Sequence, residues 1–224
     1  MRGDTDKRSY DSARRRARAA ERRGAIVAAA RAAFEERGWA GTRIADVAAA
    51  AGVSRKLVEA AFGTKAVLLQ AAVDYAIRGD VEPLPMPQRE SIREMERAPE
   101  ARTMLRLHAR HLRLVNARSA AIAAVVEQGA AADDAVSPLW RRMNANRQFA
   151  VAWATKTLLT KRGRRRGLTP ETATATFWVA LDWGTYRTLT AHAGLDDDGY
   201  ERWLARYYEA MLLPPRLRPP ASRA

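Results

Sequence analysis

The chain has 224 residues, 47% hydrophobic content, no cysteine and a formal net charge of +14. It is long enough for one large domain or two small ones, and without cysteine it has no disulfide framework and no thiolate metal site. No window approaches the run of about 18 apolar residues that a membrane helix needs. The polar, arginine-rich start lacks the apolar segment of a secretion signal, so the expected location is the cytoplasm.

Residues 1–65 hold 15 Lys/Arg against 8 Asp/Glu, so half of the excess charge lies in under a third of the chain. Such a surface attracts phosphates in a sequence-independent, salt-dependent way. Residues 1–20 are polar and include Arg14, Arg15, Arg16 and Arg18; the expectation is a disordered basic arm. Ile26, Val27, Ala30, Ala33 and Phe34 then follow helical spacing. That helix is expected from near Glu21 to Gly38, a good C-terminal breaker. Thr42 suits the N-cap of the next helix.

Arg43 to Leu68 reads as two short helices around a glycine turn, then a stop and a third helix. Ala48 is small enough for a close crossing. Gly52 can take a positive φ without steric cost. Val53 fills the space under the turn, and Ser54 can accept a bond from an orphan N–H of the helix that follows. The expected buried face of that helix is Leu57, Val58, Ala61 and Phe62. The ordered set Ala48, Gly52, Val53, Ser54 and Phe62 is the pattern of a DNA-binding helix-turn-helix. An alanine-rich helical hairpin is the plainer reading. Gly63-Thr64 breaks the chain, and Thr64 can cap a helix to about Arg78 with Val67, Leu68, Ala71, Ala72 and Tyr75 on its apolar stripe.

The prolines of Glu82 to Pro87 exclude a helix there. Beyond them, Ala101, Met104, Leu105, His108, Leu112 and Val115 form one helical face, and a second, alanine-rich helix is expected over Ser119 to Ala131. Ser137-Pro138 opens a long helix through Trp140, Met143, Phe149, Trp153 and Leu158. Thr169-Pro170-Glu171 opens another through Phe177, Trp178, Leu181, Trp183, Tyr186 and Leu189, closing at Gly194. Asp196-Asp197-Asp198 suits the positive end of a last helix, whose face is Tyr200, Trp203, Leu204, Tyr207, Tyr208 and Met211. No period-two strand pattern and no internal repeat stand out. The fold class is therefore all-α.

This layout resembles the TetR family of bacterial transcriptional regulators, most strongly from Ile26 to Leu69. Ile26–Gly38 is similar to the family's first helix, Thr42–Ala51 to the second, Gly52-Val53-Ser54 to the turn, and Phe62-Gly63-Thr64-Lys65 to the end of the recognition helix and the start of the fourth. Gly167 to Leu213 is similar to the paired last helices through which members dimerise. The resemblance implies a homodimer on a palindromic DNA operator and a ligand cavity in the larger domain. It implies phosphate contacts from Thr42, Arg43 and Lys65, and base-edge contacts from Ser54, Arg55 and Lys56 at the start of the recognition helix. Leu57, Glu59 and Ala61 depart from the family, which commonly has Thr, Tyr and a further aromatic there. Glu59 repels phosphate unless it accepts from a cytosine N4 or pairs with Arg55, four residues earlier. It therefore either alters sequence preference or weakens binding.

The expected organisation is an arm over 1–20, a helix-turn-helix domain over 21–65, a helical effector-binding and dimerisation domain over 66–215, and a disordered tail over 216–224. Ligand-pocket candidates are Met104, His108, Trp140, Met143, Trp153, Phe177 and Trp178, since aromatic-lined spaces between helices suit small molecules. Dimer-interface candidates are Leu181, Tyr186, Leu189, Trp203 and Tyr207. His108 and His111 lack the further ligands of a metal site. No metal or cofactor is expected, and no nucleophile–base set points to an enzyme. The function expected is a ligand-responsive repressor with double-stranded DNA, an unknown small effector and a second copy as partners. The alternatives are a helical interaction module with weakened or altered DNA binding, or a helical enzyme.

Overall fold

Helices carry the fold throughout the residues described by the computed structural model, 3–79 and 88–215. In chain order they are α1 (Gly3–Gly41), α2 (Ile44–Ala50), α3 (Arg55–Phe62), α4 (Lys65–Arg78), α5 (Glu90–Arg97), α6 (Ala101–Ala132), α7 (Ser137–Leu159), α8 (Pro170–Ala180), α9 (Trp183–Arg187) and α10 (Asp197–Leu212). No described helix is long and apolar enough to cross a membrane. The chain forms two compact units, Met1–Val81 with Ala121–Trp140, and Glu82–Ala120 with Arg141–Ala224. The proline segment 82–87 and the tail 216–224 lie outside the described residues.

In the first unit α1 buries Ile26, Val27, Ala30, Ala33 and Phe34, and α4 packs against it. Helix α4 was assigned from sequence to the larger domain. It belongs to the first unit because Leu68, Leu69, Ala72, Val73 and Ala76 are buried there, whereas Val67, expected on the stripe, is 45% exposed. Helix α1 begins at Gly3 instead of near Glu21, so the expected disordered arm is helical from that point. Thr5 to Arg23 contains no glycine or proline and is rich in alanine and arginine, both strong helix formers. The continuous helix breaks at Gly38, whose φ of 68° and ψ of −175° lie in a region that only glycine occupies without strain.

In the second unit one cluster joins α5, α6, α7, α8 and α10 around Met95, Met104, Leu105, Leu158, Phe177 and Leu204. Helix α5 had no sequence forecast. It is short and charged, and only Ile92 and Met95 anchor it. Two helices were expected across 101–131, but α6 is one, because Ser119 turns its hydroxyl back to Val115 O at 2.8 Å and leaves the helix unbroken. The single helix expected from Thr169 to Gly194 is split. Helix α8 stops at Ala180, Asp182 caps α9 by accepting from Thr185 N at 2.8 Å, and a π-helical turn covers Thr188–His192. Arg147 secures this break. It donates to Trp178 O at 2.8 Å and pairs with Asp182 at 3.1 Å, so one cation serves the carboxyl end of α8 and the cap of α9. The acidic run expected at the start of the last helix is there, and Asp196 also caps α10, accepting from Gly199 N at 2.6 Å.

An added Cβ meets nothing within 4 Å at either Gly38 or Gly24, so only the backbone distinguishes them. Gly38→Ala is expected to lower unfolding free energy by about 1–3 kcal/mol. Gly24→Ala, inside α1, is expected to raise it by about 0.5–1 kcal/mol. Urea unfolding of the two variants checks the pair, and equal effects would refute the backbone explanation.

Candidate nucleic-acid interface

The helix-turn-helix is built from the inside. Val47 and Ala48 of α2 and Val58 and Phe62 of α3 are buried, and α2 packs on α3. Gly52, at φ 65°, turns the chain between them. The turn closes with Gly52 N donating to Ala49 O at 3.1 Å and Val53 N donating to Ala48 O at 3.0 Å. Ser54 Oγ accepts from Leu57 N at 3.2 Å and caps α3, as its position in the sequence implied. Thr64 caps α4 in the same way through Val67 N.

With Val58 and Phe62 turned inward, Arg55, Lys56, Leu57, Ala60 and Ala61 are exposed along α3. Leu57 and Ala61 were expected on the buried face. They fall outside it because eight residues at 3.6 per turn give one narrow buried stripe, which Val58 and Phe62 fill. Glu59 meets Arg55 as a pair, Nε to Oε1 at 2.7 Å, with both side chains substantially exposed.

Two of the expected phosphate contacts are placed differently. Thr42 is 2% exposed and donates its hydroxyl to Ala33 O and Gly38 O at 3.0 and 2.8 Å. It closes the corner after α1 and does not cap α2. The cap position belongs to the exposed Arg43, whose side chain makes no capping bond. Lys65 is half-buried, with Nζ 4.3 Å from the centre of the Trp39 ring. Burial lowers its pKa, and Asp133 opposes that shift.

Four residues here had no signal in the sequence. Arg23 of α1 donates to Ala61 O at 3.0 Å and lies 4.2 Å over the Phe62 ring, covering the end of α3 where an aromatic is missing. Trp39 stacks near Phe34, with ring centres 6.1 Å apart, and donates Nε1–H to Asp133 Oδ2 at 2.9 Å. Asp133 also accepts from Ala135 N, and these bonds hold its carboxyl below the usual range. Gly129 leaves room for Trp39, since a Cβ there would lie 3.1 Å from the tryptophan Cβ. Contacts spanning 38 and 94 positions leave no local pattern to read.

The second unit gathers only part of the expected ligand set. Met104 and Phe177 lie in its apolar core, with Trp153 and Trp178 packed at the edge, and His108 is also buried. Met143 is also buried, whereas Trp140 belongs to the first unit. His108 Nδ1 lies 2.7 Å from the Tyr208 hydroxyl, and its ring meets Phe177 edge-on. Asn116 Nδ2 donates to the Tyr200 hydroxyl at 2.9 Å. Burial, then repulsion from His111, pushes His108 down to about 3. Burial, then Arg118 and Arg89, pushes His111 down to about 4. Burial also raises Tyr208 well above 10 and Tyr200 to about 12. The five interface candidates Leu181, Tyr186, Leu189, Trp203 and Tyr207 are all partly buried against this core. Trp203 and Tyr207 stack with ring centres 5.4 Å apart and planes 3° apart.

Residues 26–72 match the family model described as bacterial regulatory proteins, tetR family. A 58-residue stretch is 48% identical to the HTH-type transcriptional regulator CymR of Pseudomonas putida; it covers 26% of this chain and 29% of that protein. Solved structures share the fold across most of the length. NalD, the secondary repressor of the MexAB-OprM multidrug efflux pump in Pseudomonas aeruginosa, aligns at a TM-score of 0.63 and 22% identity over 86% of this chain and 97% of that one. A regulator structure from Saccharomonospora viridis in complex with choline aligns at 0.63 and 19% over 87% and 99%.

Buried His108 and half-buried His111 set a pH dependence. In an unfolded chain a histidine titrates near 6.5, so below that value the unfolded state binds protons that folded His108 and His111 refuse. Stability therefore falls as pH drops from about 6.5 toward 4. Between pH 7 and pH 5 the loss from His108 alone is on the order of 2 kcal/mol. Thermal melts across this range check it. His108→Gln is expected to be less pH-sensitive than the parent, and an unchanged slope would contradict the assignment.

Proposed function

We infer from the match of residues 26–72 to the tetR family of bacterial regulatory proteins that the chain is a DNA-binding transcriptional regulator. The observation that carries the reading is the start of α3. Ser54 caps a helix whose exposed N-terminal residues are Arg55 and Lys56, on a packed helix-turn-helix. A helix N-terminus bearing cations fits the major groove, where Arg55 can donate to guanine and Lys56 can reach the bordering phosphates. Exposed Arg43 at the cap of α2 supplies a phosphate contact. Lys65 supplies a second once its head leaves the Trp39 ring. Thr42 is spent on the fold and makes none. The chain works where the genome is, in the cytoplasm.

The regulator acts as a homodimer on an operator with two-fold symmetry. Leu181, Tyr186, Leu189, Trp203 and Tyr207 remain only partly buried within one chain, and the flat Trp203–Tyr207 stack gives a second copy a large surface to cover. A small effector acts through the second unit, whose interior offers aromatic faces with the polar groups of His108, Tyr208, Asn116 and Tyr200. Binding there releases DNA only to the extent that the effector prefers the DNA-free arrangement. Repression is supported by the shared fold with a known repressor and by a relative that holds a small ligand.

Duplexes selected from a random pool by the full-length protein, followed by salt-controlled titration, test this. Arg43→Ala and Lys56→Ala are each expected to weaken binding across all sequences and to reduce the slope of log affinity against log salt by about one unit. A pool that yields no enriched duplex would overturn the reading.

A further inference from the structure

The recognition helix carries a carboxylate, which by itself opposes binding to a negatively charged groove. Glu59 is placed so that it does not act by itself. Its Oε1 accepts from Arg55 Nε at 2.7 Å, one helical turn away, and the two side chains are 39% and 67% exposed. Lys56, Leu57 and Ala60 beside the pair are also exposed.

The atoms used matter. An arginine carries five N–H donors, one on Nε and two on each terminal nitrogen. Engaging Nε alone leaves both terminal nitrogens unused by Glu59 and restrains the swing of the guanidinium. Guanine offers two acceptors in the major groove, O6 and N7, which match such a fork. Adenine offers one acceptor and an amino donor, which does not. An unheld arginine on an exposed helix start can swing to the nearest phosphate and contribute affinity without selectivity. A held one has fewer positions open to its fork. The pair is also close to neutral, so general attraction to phosphate falls to Arg43 and Lys56.

We propose that Glu59 is a positioning residue for Arg55, and that the two form one unit selecting guanine at a position in each operator half-site. The proposal rests on the DNA-binding reading above. Glu59 then sharpens sequence preference at the expense of overall attraction, and is not a defect in the motif.

The two effects separate experimentally. The full-length protein first selects duplexes from a random pool; if nothing is enriched, DNA binding fails and this proposal falls with it. If an operator emerges, the position whose guanine preference disappears in Arg55→Ala identifies the contact. At that position the parent is expected to prefer guanine over adenine by roughly 5- to 100-fold, and to lose affinity when 7-deazaguanine removes the N7 acceptor. In Glu59→Gln and Glu59→Ala this preference is expected to collapse toward that of Arg55→Ala. Affinity for random duplex is expected to hold or rise severalfold, with a steeper salt dependence from the released cation. Far-UV circular dichroism and melting confirm that the variants fold, which two exposed side chains allow. Three results each overturn the proposal. One is an unchanged guanine preference in Glu59→Ala. Another is an equal loss of specific and random binding. The third is a lost cytosine preference at a position that Arg55→Ala leaves untouched, which would make Glu59 itself the reader of the cytosine amino group.

Discussion

Gly38 and Thr42 together make the corner on which the first unit depends. The chain must leave α1 abruptly and enter α2 in a fixed direction, or the turn and α3 have no platform. Gly38 supplies a backbone conformation closed to other residues. Thr42 then ties the new segment back with one hydroxyl shared between Ala33 O and Gly38 O. A buried hydroxyl is stabilising only when bonded, so this threonine is tied to its place. Trp39, between the two, is thereby set against Phe34, Lys65 and Asp133.

The basic charge of this unit is divided between structure and surface. Arg23 holds the end of α3, Arg37 pairs with Asp46 in the first turn of α2 at 3.3 Å, and Lys65 rests on Trp39. Arg43, Arg55 and Lys56 stay exposed where a DNA partner is expected. A formal charge count treats these six cations alike. Their geometry does not, because a cation bonded to the fold must give up that contact before it can meet a phosphate.

The second unit has a more polar interior than its apolar cluster implies. The His108–Tyr208 and Asn116–Tyr200 pairs lie inside it, and each satisfies groups that would otherwise be costly to bury. At its rim Arg113 pairs with Glu201 at 2.9 Å, and Arg102 pairs with Glu209, tying α6 to α10. The split after α8 places Asp182 and Arg147 in a shared bond, so the segment from Trp183 onward takes its direction from a side chain on α7.

Helix capping and turn chemistry were legible in the sequence because they are local. Ser54, Thr64 and Thr169 each bond an amide three residues on, and Gly52 serves a turn four residues long. The same locality made the all-α class, the helix-turn-helix and the Arg55–Glu59 pairing visible at i,i+4 spacing. What periodicity could not supply was the width of a buried face. Leu57 and Ala61 share a helix with Val58 and Phe62, and only the position of α2 decides which side is covered. Nor could it show that Thr42 is bonded inward, that Arg23 closes over Phe62, that Trp140 falls in a different unit from Phe177, or that Arg147 divides one expected helix into two. Each of these depends on an atom contributed from elsewhere in the chain. The sequence by itself determined the all-α class and the caps at Ser54, Thr64 and Thr169, because hydrogen bonds within a turn need only near neighbours. The tertiary structure alone decided which side chains remain available to a partner, because burial and long-range bonding are properties of the assembled fold.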